Sequence, residues 1–118
     1  MHKYHDPKNV KSPKDFITDV QVIFDGMTNP NYSIAKIKWC GKTKIAIRYN
    51  VNQREWNNPN KENGNILSIG EPNSRGYATW FVLPYDFLQN LINDNCGFIE
   101  ELKEILEIIE TENIQLNK

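Results

Sequence analysis

The chain has few of the residues that usually carry chemistry. Its two cysteines, Cys40 and Cys96, stand alone without metal-type spacing, so a zinc knuckle or a disulfide framework is not encoded and both read as free thiols. The only histidines, His2 and His5, share a proline-flanked start with Asp6, and an unpacked arm cannot fix ligand geometry for a metal. A nucleophile elbow, a Walker loop and a dinucleotide-binding glycine pattern are all missing. Among the carboxylates, Glu62, Glu71 and Asp86 could be paired only by an accident of folding, and no spacing pairs them for acid–base work. No apolar run reaches the length of a membrane span, and the start Met1-His2-Lys3-Tyr4-His5-Asp6 has no signal-peptide core. These absences argue against an enzyme, a metal or other cofactor, and a membrane partner. The expected location is cytoplasmic.

What is present is the composition of a folded domain. With 118 residues, 39% hydrophobic and 25% charged, the chain is long enough for one core and too short for two. The net charge of −1 hides an asymmetry. Residues 1–93 carry twelve Lys/Arg against eight Asp/Glu, and residues 94–118 carry two against seven. A basic body of this modest size suits a small anion better than duplex DNA, whose binders are strongly basic.

The order of elements predicts an α+β fold, an antiparallel sheet followed by two C-terminal helices. Residues 1–13, with Pro7 and Pro13 and no periodicity, read as a flexible N-terminal arm, disordered or laid over a neighbour. Residues 14–118 read as a single domain. Phe16–Phe24 is expected as the first strand, with Val20, Val22 and Phe24 on one face. Tyr32–Trp39 and Lys44–Asn50 alternate around Cys40-Gly41-Lys42-Thr43 and predict a hairpin. The Asn-rich stretch 51–65 predicts a long loop, and Ile66–Ile69 and Thr79–Leu83 two short strands. Pro84 suits a helix start, which places helices over about 84–93 and 97–113. The second helix has an apolar stripe, Ile105 and Ile109 included, that Ile108 widens beyond what one sheet face needs. That excess predicts a homo-oligomer, a dimer or multiple of dimers, joined through the C-terminal helices.

The segment from Gly70 to Pro84 holds the richest set of binding groups. A polar turn, Asn73-Ser74-Arg75-Gly76, runs into Trp80-Phe81, and adjacent strand residues point to opposite faces. One of the two rings is expected in the core and the other beside Arg75, where an aromatic plate, a guanidinium and free backbone N–H groups suit a nucleobase joined to a phosphate. Arg48, on a strand, is read as either a phosphate contact or a surface residue paired across the sheet. Arg54 and Trp56, in the Asn-rich loop, complete the candidate ligand-binding set. For Trp56 the other reading is a lid over the core, and for Arg54 a solvated loop charge.

The arrangement of Tyr32–Tyr49, a loop, then Ser74-Arg75-Gly76 and Leu83-Pro84-Tyr85-Asp86-Phe87-Leu88 resembles the phage Thoeris anti-defence proteins, sponges for cyclic ADP-ribose signals made by bacterial TIR enzymes. The resemblance is one of layout and covers roughly residues 16–110. It implies non-catalytic sequestration of a cyclic nucleotide, an oligomer built from dimers, and a pocket at a subunit junction; some members also hold cyclic dinucleotides. Lys42–Tyr49 and Leu83-Pro84 are also similar to the positive-cofactor single-stranded-DNA-binding fold, from which the extra residues between Asn50 and Thr79 and the acidic last helix depart. A protein-interaction domain with an acidic helix is the third expectation.

Overall fold

The computed structural model describes residues 1–26, 31–93 and 99–116, and within its two C-terminal helices the side chains of 85–89 and 103–112. Alternating sequences do form the sheet. Strand β1 (Ile17–Asp25), β2 (Tyr32–Trp39) and β3 (Lys42–Tyr49) form an antiparallel meander. The turn between β2 and β3 places Cys40 and Gly41 at φ 51° and 81°, the left-handed pair of a tight hairpin. A distant fragment, β6 (Phe81–Val82), adds to the other side of β3, giving the order β1-β2-β3-β6. Helix α3 (Tyr85–Asn93) and α4 (Ile99–Leu116) follow. The α+β fold with an antiparallel sheet and two terminal helices is therefore the observed one. Among the described residues no helix is long and apolar enough to cross a membrane.

The period-2 alternation of β2 and β3 divides the apolar residues between two cores. On one face Ile34 and Ile45 pack with Leu83, Leu88, Ile105, Leu106 and Ile109, so the helices cover it. On the other face Ala35, Ile37 and Ala46 pack with Trp80, Ala78, Ile17 and Val10. Ala35 and Ala46 stand opposite each other and are wholly buried; their small side chains leave depth for the Trp80 ring. Strand β1 crosses from one core to the other. Its register shifts between Val22 and Phe24, so Val20 joins the second core while Ile23 and Phe24 join the first. The expectation of Val20, Val22 and Phe24 on one face is corrected by that bulge, which reverses the side-chain phase.

Residues 1–13 lie along the second core. A 3-10 turn at Pro7–Asn9 is capped by Asp6, Tyr4 bridges Ser68, and Val10 is buried beneath the Trp80 indole, whose N–H donates to the Val10 carbonyl at 2.8 Å. The Asn-rich stretch contains two helical turns, α1 (Gln53–Trp56) and α2 (Pro59–Glu62), each started by an asparagine side chain, Asn52 and Asn58. Ile66–Ile69 forms no strand. The Ser68 N–H goes to the Lys3 carbonyl in a single bridge and the Ile69 N–H to a Glu55 carboxylate oxygen, so neighbouring donors serve different partners in place of one ladder.

Candidate functional site

The segment between Gly70 and Trp80 is built as a small hairpin standing on the sheet. Strand β4 (Asn73–Ser74) pairs with β5 (Tyr77–Ala78), and the turn between them holds Arg75 and Gly76 at φ 51° and 83°. Both are left-handed, the geometry of a two-residue hairpin turn, which a glycine at the second position supports. Arg75 is exposed, and its guanidinium has no partner among the described residues. The Tyr77 ring is 67% exposed. A cleft opens on each side of this hairpin.

The larger cleft, about 630 Å³, lies where the N-terminal segment crosses the hairpin. Val10, Ile17 and Ala78 form its floor; Lys11, Lys14, His5, Gly76 and Tyr77 form its rim, with Asn9 and Ser12 between. Neither lysine makes an ion pair or a side-chain hydrogen bond among the described residues, and no carboxylate lines the cleft. Two free cations over an apolar floor, beside an exposed ring, can take an anion attached to a flat apolar group.

The second cleft, about 510 Å³, lies at the β3–β6 edge and is lined by Tyr49, Glu71, Pro72, Asn73 and Phe81 together with Ile47 and Arg48. Here Tyr49 is 49% exposed and Phe81 56%. Of the expected aromatic pair, Phe81 is thus the open ring. Trp80, 6% exposed, is a core residue whose N–H is already used.

Arg48 is corrected as well. It is neither a surface residue nor free for phosphate. Its guanidinium, 2% exposed, donates to the carbonyls of Ile69, Pro72 and Thr79. Burial lowers its pKa to about 10, against a raising effect from Glu55, so it stays charged at neutral pH. It holds the backbone of the hairpin's two feet. Gly70 is what permits this approach: it sits at φ 73°, and a Cβ there would overlap the Tyr49 carbonyl oxygen and crowd the Arg48 guanidinium.

Glu55 is the counterpart that sequence reasoning missed. Its carboxylate is buried, yet it accepts from the N–H groups of Asn52, Ile69 and Gly70 and from the Lys61 ammonium at 2.8 Å. Burial pushes its pKa up, but the Lys61 and backbone hydrogen bonds outweigh this and hold it below the ordinary value of 4.5. The Asn-x-x-Glu spacing of a capping box was its signal in the sequence. Lys11, Lys14 and Tyr77 were also missed, the lysines because a proline-rich segment without periodicity gives no sign of where it packs.

The nine residues expected to bind ligand therefore fall into separate places. Gly76 lines the larger cleft, with Ser74 and Arg75 in the same hairpin; Arg48, Asn73 and Phe81 line the smaller one. The Asn73 amide donates to the Gly70 carbonyl at 3.1 Å. Arg54 is exposed on α1 and lines neither cleft. Trp56 packs edge-on against His2 at 4.4 Å, and His2 Nε2 lies 3.1 Å from the Glu55 carbonyl oxygen. No protein-family model matches this chain, and neither a curated protein nor a solved structure does.

Proposed function

We propose that this protein binds a phosphorylated nucleotide without turning it over, and that it sequesters a cyclic nucleotide signal of the cyclic ADP-ribose type, as a counter to bacterial anti-phage defence. The observation that supports this reading is the larger cleft: Lys11 and Lys14, unpaired, face an apolar floor beside the exposed Tyr77 ring. Phosphate goes to the lysines, with Arg75 reaching over from the hairpin turn, and the base lies on Tyr77. The cleft volume of about 630 Å³ is within the range that small ligands occupy. Sequestration needs tight binding and slow release and no acid–base pair. Charge favours this cleft over the smaller one, where Glu71 faces the ligand and Arg48 is already committed to carbonyls.

Titration calorimetry against cyclic ADP-ribose, cyclic dinucleotides and a single-stranded oligonucleotide tests the reading. Binding of a cyclic nucleotide is expected, and Lys14→Ala is expected to weaken it by roughly 1.5–3 kcal/mol, the worth of a charge-assisted hydrogen bond. Arg75→Ala is expected to act in the same direction with the fold intact, since an exposed loop arginine adds little stability. Binding of the oligonucleotide alone would replace this function with that of a single-stranded nucleic-acid module.

A further inference from the structure

The smaller cleft has a chemistry that the nucleotide reading does not use. Tyr49 and Glu71 exchange backbone hydrogen bonds at 2.7 and 2.9 Å, so they are a cross-strand pair with side chains on one face. Phe81 stands opposite Ile47, two residues along β3 from Tyr49, and therefore on that same face. Three side chains thus converge: two half-exposed rings and one carboxylate. The Glu71 carboxylate has no ion pair or hydrogen bond among the described residues. Arg48, next to Tyr49 in sequence, points to the opposite face, where three carbonyls hold it. Arg48 still lines the cleft, with its guanidinium buried and its Nε–H without a partner among the described residues. Asn73, the other uncommitted polar side chain at the cleft, gives one amide hydrogen to the Gly70 carbonyl.

An anion entering here meets a free carboxylate, while the one cation that lines the cleft, Arg48, is buried and bonded to carbonyls. A cation meets that carboxylate together with the negative faces of two rings, the combination that holds alkylated ammonium and guanidinium groups. We propose that the Tyr49–Glu71–Phe81 cleft is a binding site for an organic cation, an alkylated ammonium or a guanidinium. This site is independent of the nucleotide cleft on the other side of the hairpin. The pair of rings supplies the selectivity over inorganic ions, because a potassium ion keeps its water and gains little from a ring, whereas a bulky organic cation sheds water readily.

The test is a proton NMR titration of the intact chain, with the Tyr49 and Phe81 ring signals assigned by Tyr49→Phe and Phe81→Leu. The probes are tetramethylammonium chloride and N-acetyl-arginine amide, with potassium chloride at equal ionic strength as the reference. Saturable shifts of both rings with an organic cation and none with potassium are expected. Glu71→Gln, a surface change that leaves the backbone pair intact, is expected to weaken binding about 5-fold, and Phe81→Leu by a similar factor. Preference for tetramethylammonium identifies a quaternary ammonium ligand, and preference for the arginine derivative a guanidinium. Ring shifts that potassium reproduces, or affinity unchanged in a Glu71→Gln variant with a wild-type far-ultraviolet spectrum, would overturn the proposal. So would saturable shifts of these rings by a cyclic nucleotide in place of the cations.

Discussion

Gly70, Arg48 and Glu55 decide how the hairpin is held. None of the three has an exposed surface to advertise a role. Gly70→Ala forces a Cβ into the Tyr49 carbonyl and strains a φ of 73°, so a loss on the order of 3–5 kcal/mol is expected, read as a fall in the urea midpoint. Arg48→Met is expected to cost a similar amount, because the Ile69 and Thr79 carbonyls lose the guanidinium donor and Glu55 loses a nearby positive charge. Both variants should lose ligand binding only through loss of fold. That distinguishes them from Lys14→Ala, where the urea midpoint is expected to stay while affinity falls. A sequence reading sees an arginine between Ile47 and Tyr49 and places it at the surface or against a phosphate. It cannot see that carbonyls from residues 69, 72 and 79 return to the same spot, since that convergence is set by long-range chain folding.

Among the elements, the central hairpin was legible and the segments around it were not. Strict alternation in Tyr32–Trp39 and Lys42–Tyr49 carries its own address, because one-residue slippage would turn every side chain to the opposite face and into the wrong core. The bulge in β1 and the fate of Ile66–Ile69 depend on partners far away in sequence, so local pattern gave the wrong face for one and a strand for the other. The two carboxylates that clasp elements together carry testable pH behaviour. Glu55 has a folded pKa below its ordinary 4.5, so its contribution to stability is present above that value and is lost as pH falls through the folded pKa. The stability gap between wild type and Glu55→Gln should accordingly be largest at neutral pH and close on acidification below 4.5, as urea melts across that range will show. Glu112 joins α4 to the β2–β3 turn by accepting from the Thr43 N–H and hydroxyl at 2.8 and 2.7 Å and from Lys38 at 3.1 Å. Burial pushes its pKa up, and these bonds more than reverse the effect. Glu112→Ala is expected to cost about 1–2 kcal/mol, with faster hydrogen exchange confined to the second half of α4.

For the whole molecule the open matter is assembly. The apolar width of the last helix predicts self-association, yet Ile105 and Ile109 are 6% and 4% exposed within the chain's own core. Ile105→Asp would therefore unfold the subunit before it split any oligomer. Among the described residues, the exposed large apolar side chains of these helices are Phe87, at 49%, and Ile108, at 40%, and they are the positions to change. If the helices join subunits, light scattering should report a multiple of 13.8 kDa for the wild type and a monomer for Ile108→Asp, with the same far-ultraviolet spectrum; a monomeric wild type at micromolar concentration removes helix-mediated assembly. Salt discriminates at the same scale. A ligand with one or two phosphates is expected to lose little affinity between low and physiological salt, while a nucleic-acid module would lose orders of magnitude through counterion release.

The bond from the Trp80 indole to the Val10 carbonyl spans 70 residues of sequence. On a ribosome, residues 2–10 emerge long before their partners at Glu55, Ser68 and Trp80 exist, and they must wait while the β2–β3 hairpin, whose contacts are local, is already able to close. During that interval the second core lacks both the ring that fills it and the strap that crosses it. The larger cleft, walled by Lys11, Lys14 and the 73–78 hairpin, is thus among the last features to form, and a nascent chain cannot present it until residue 78 has left the tunnel.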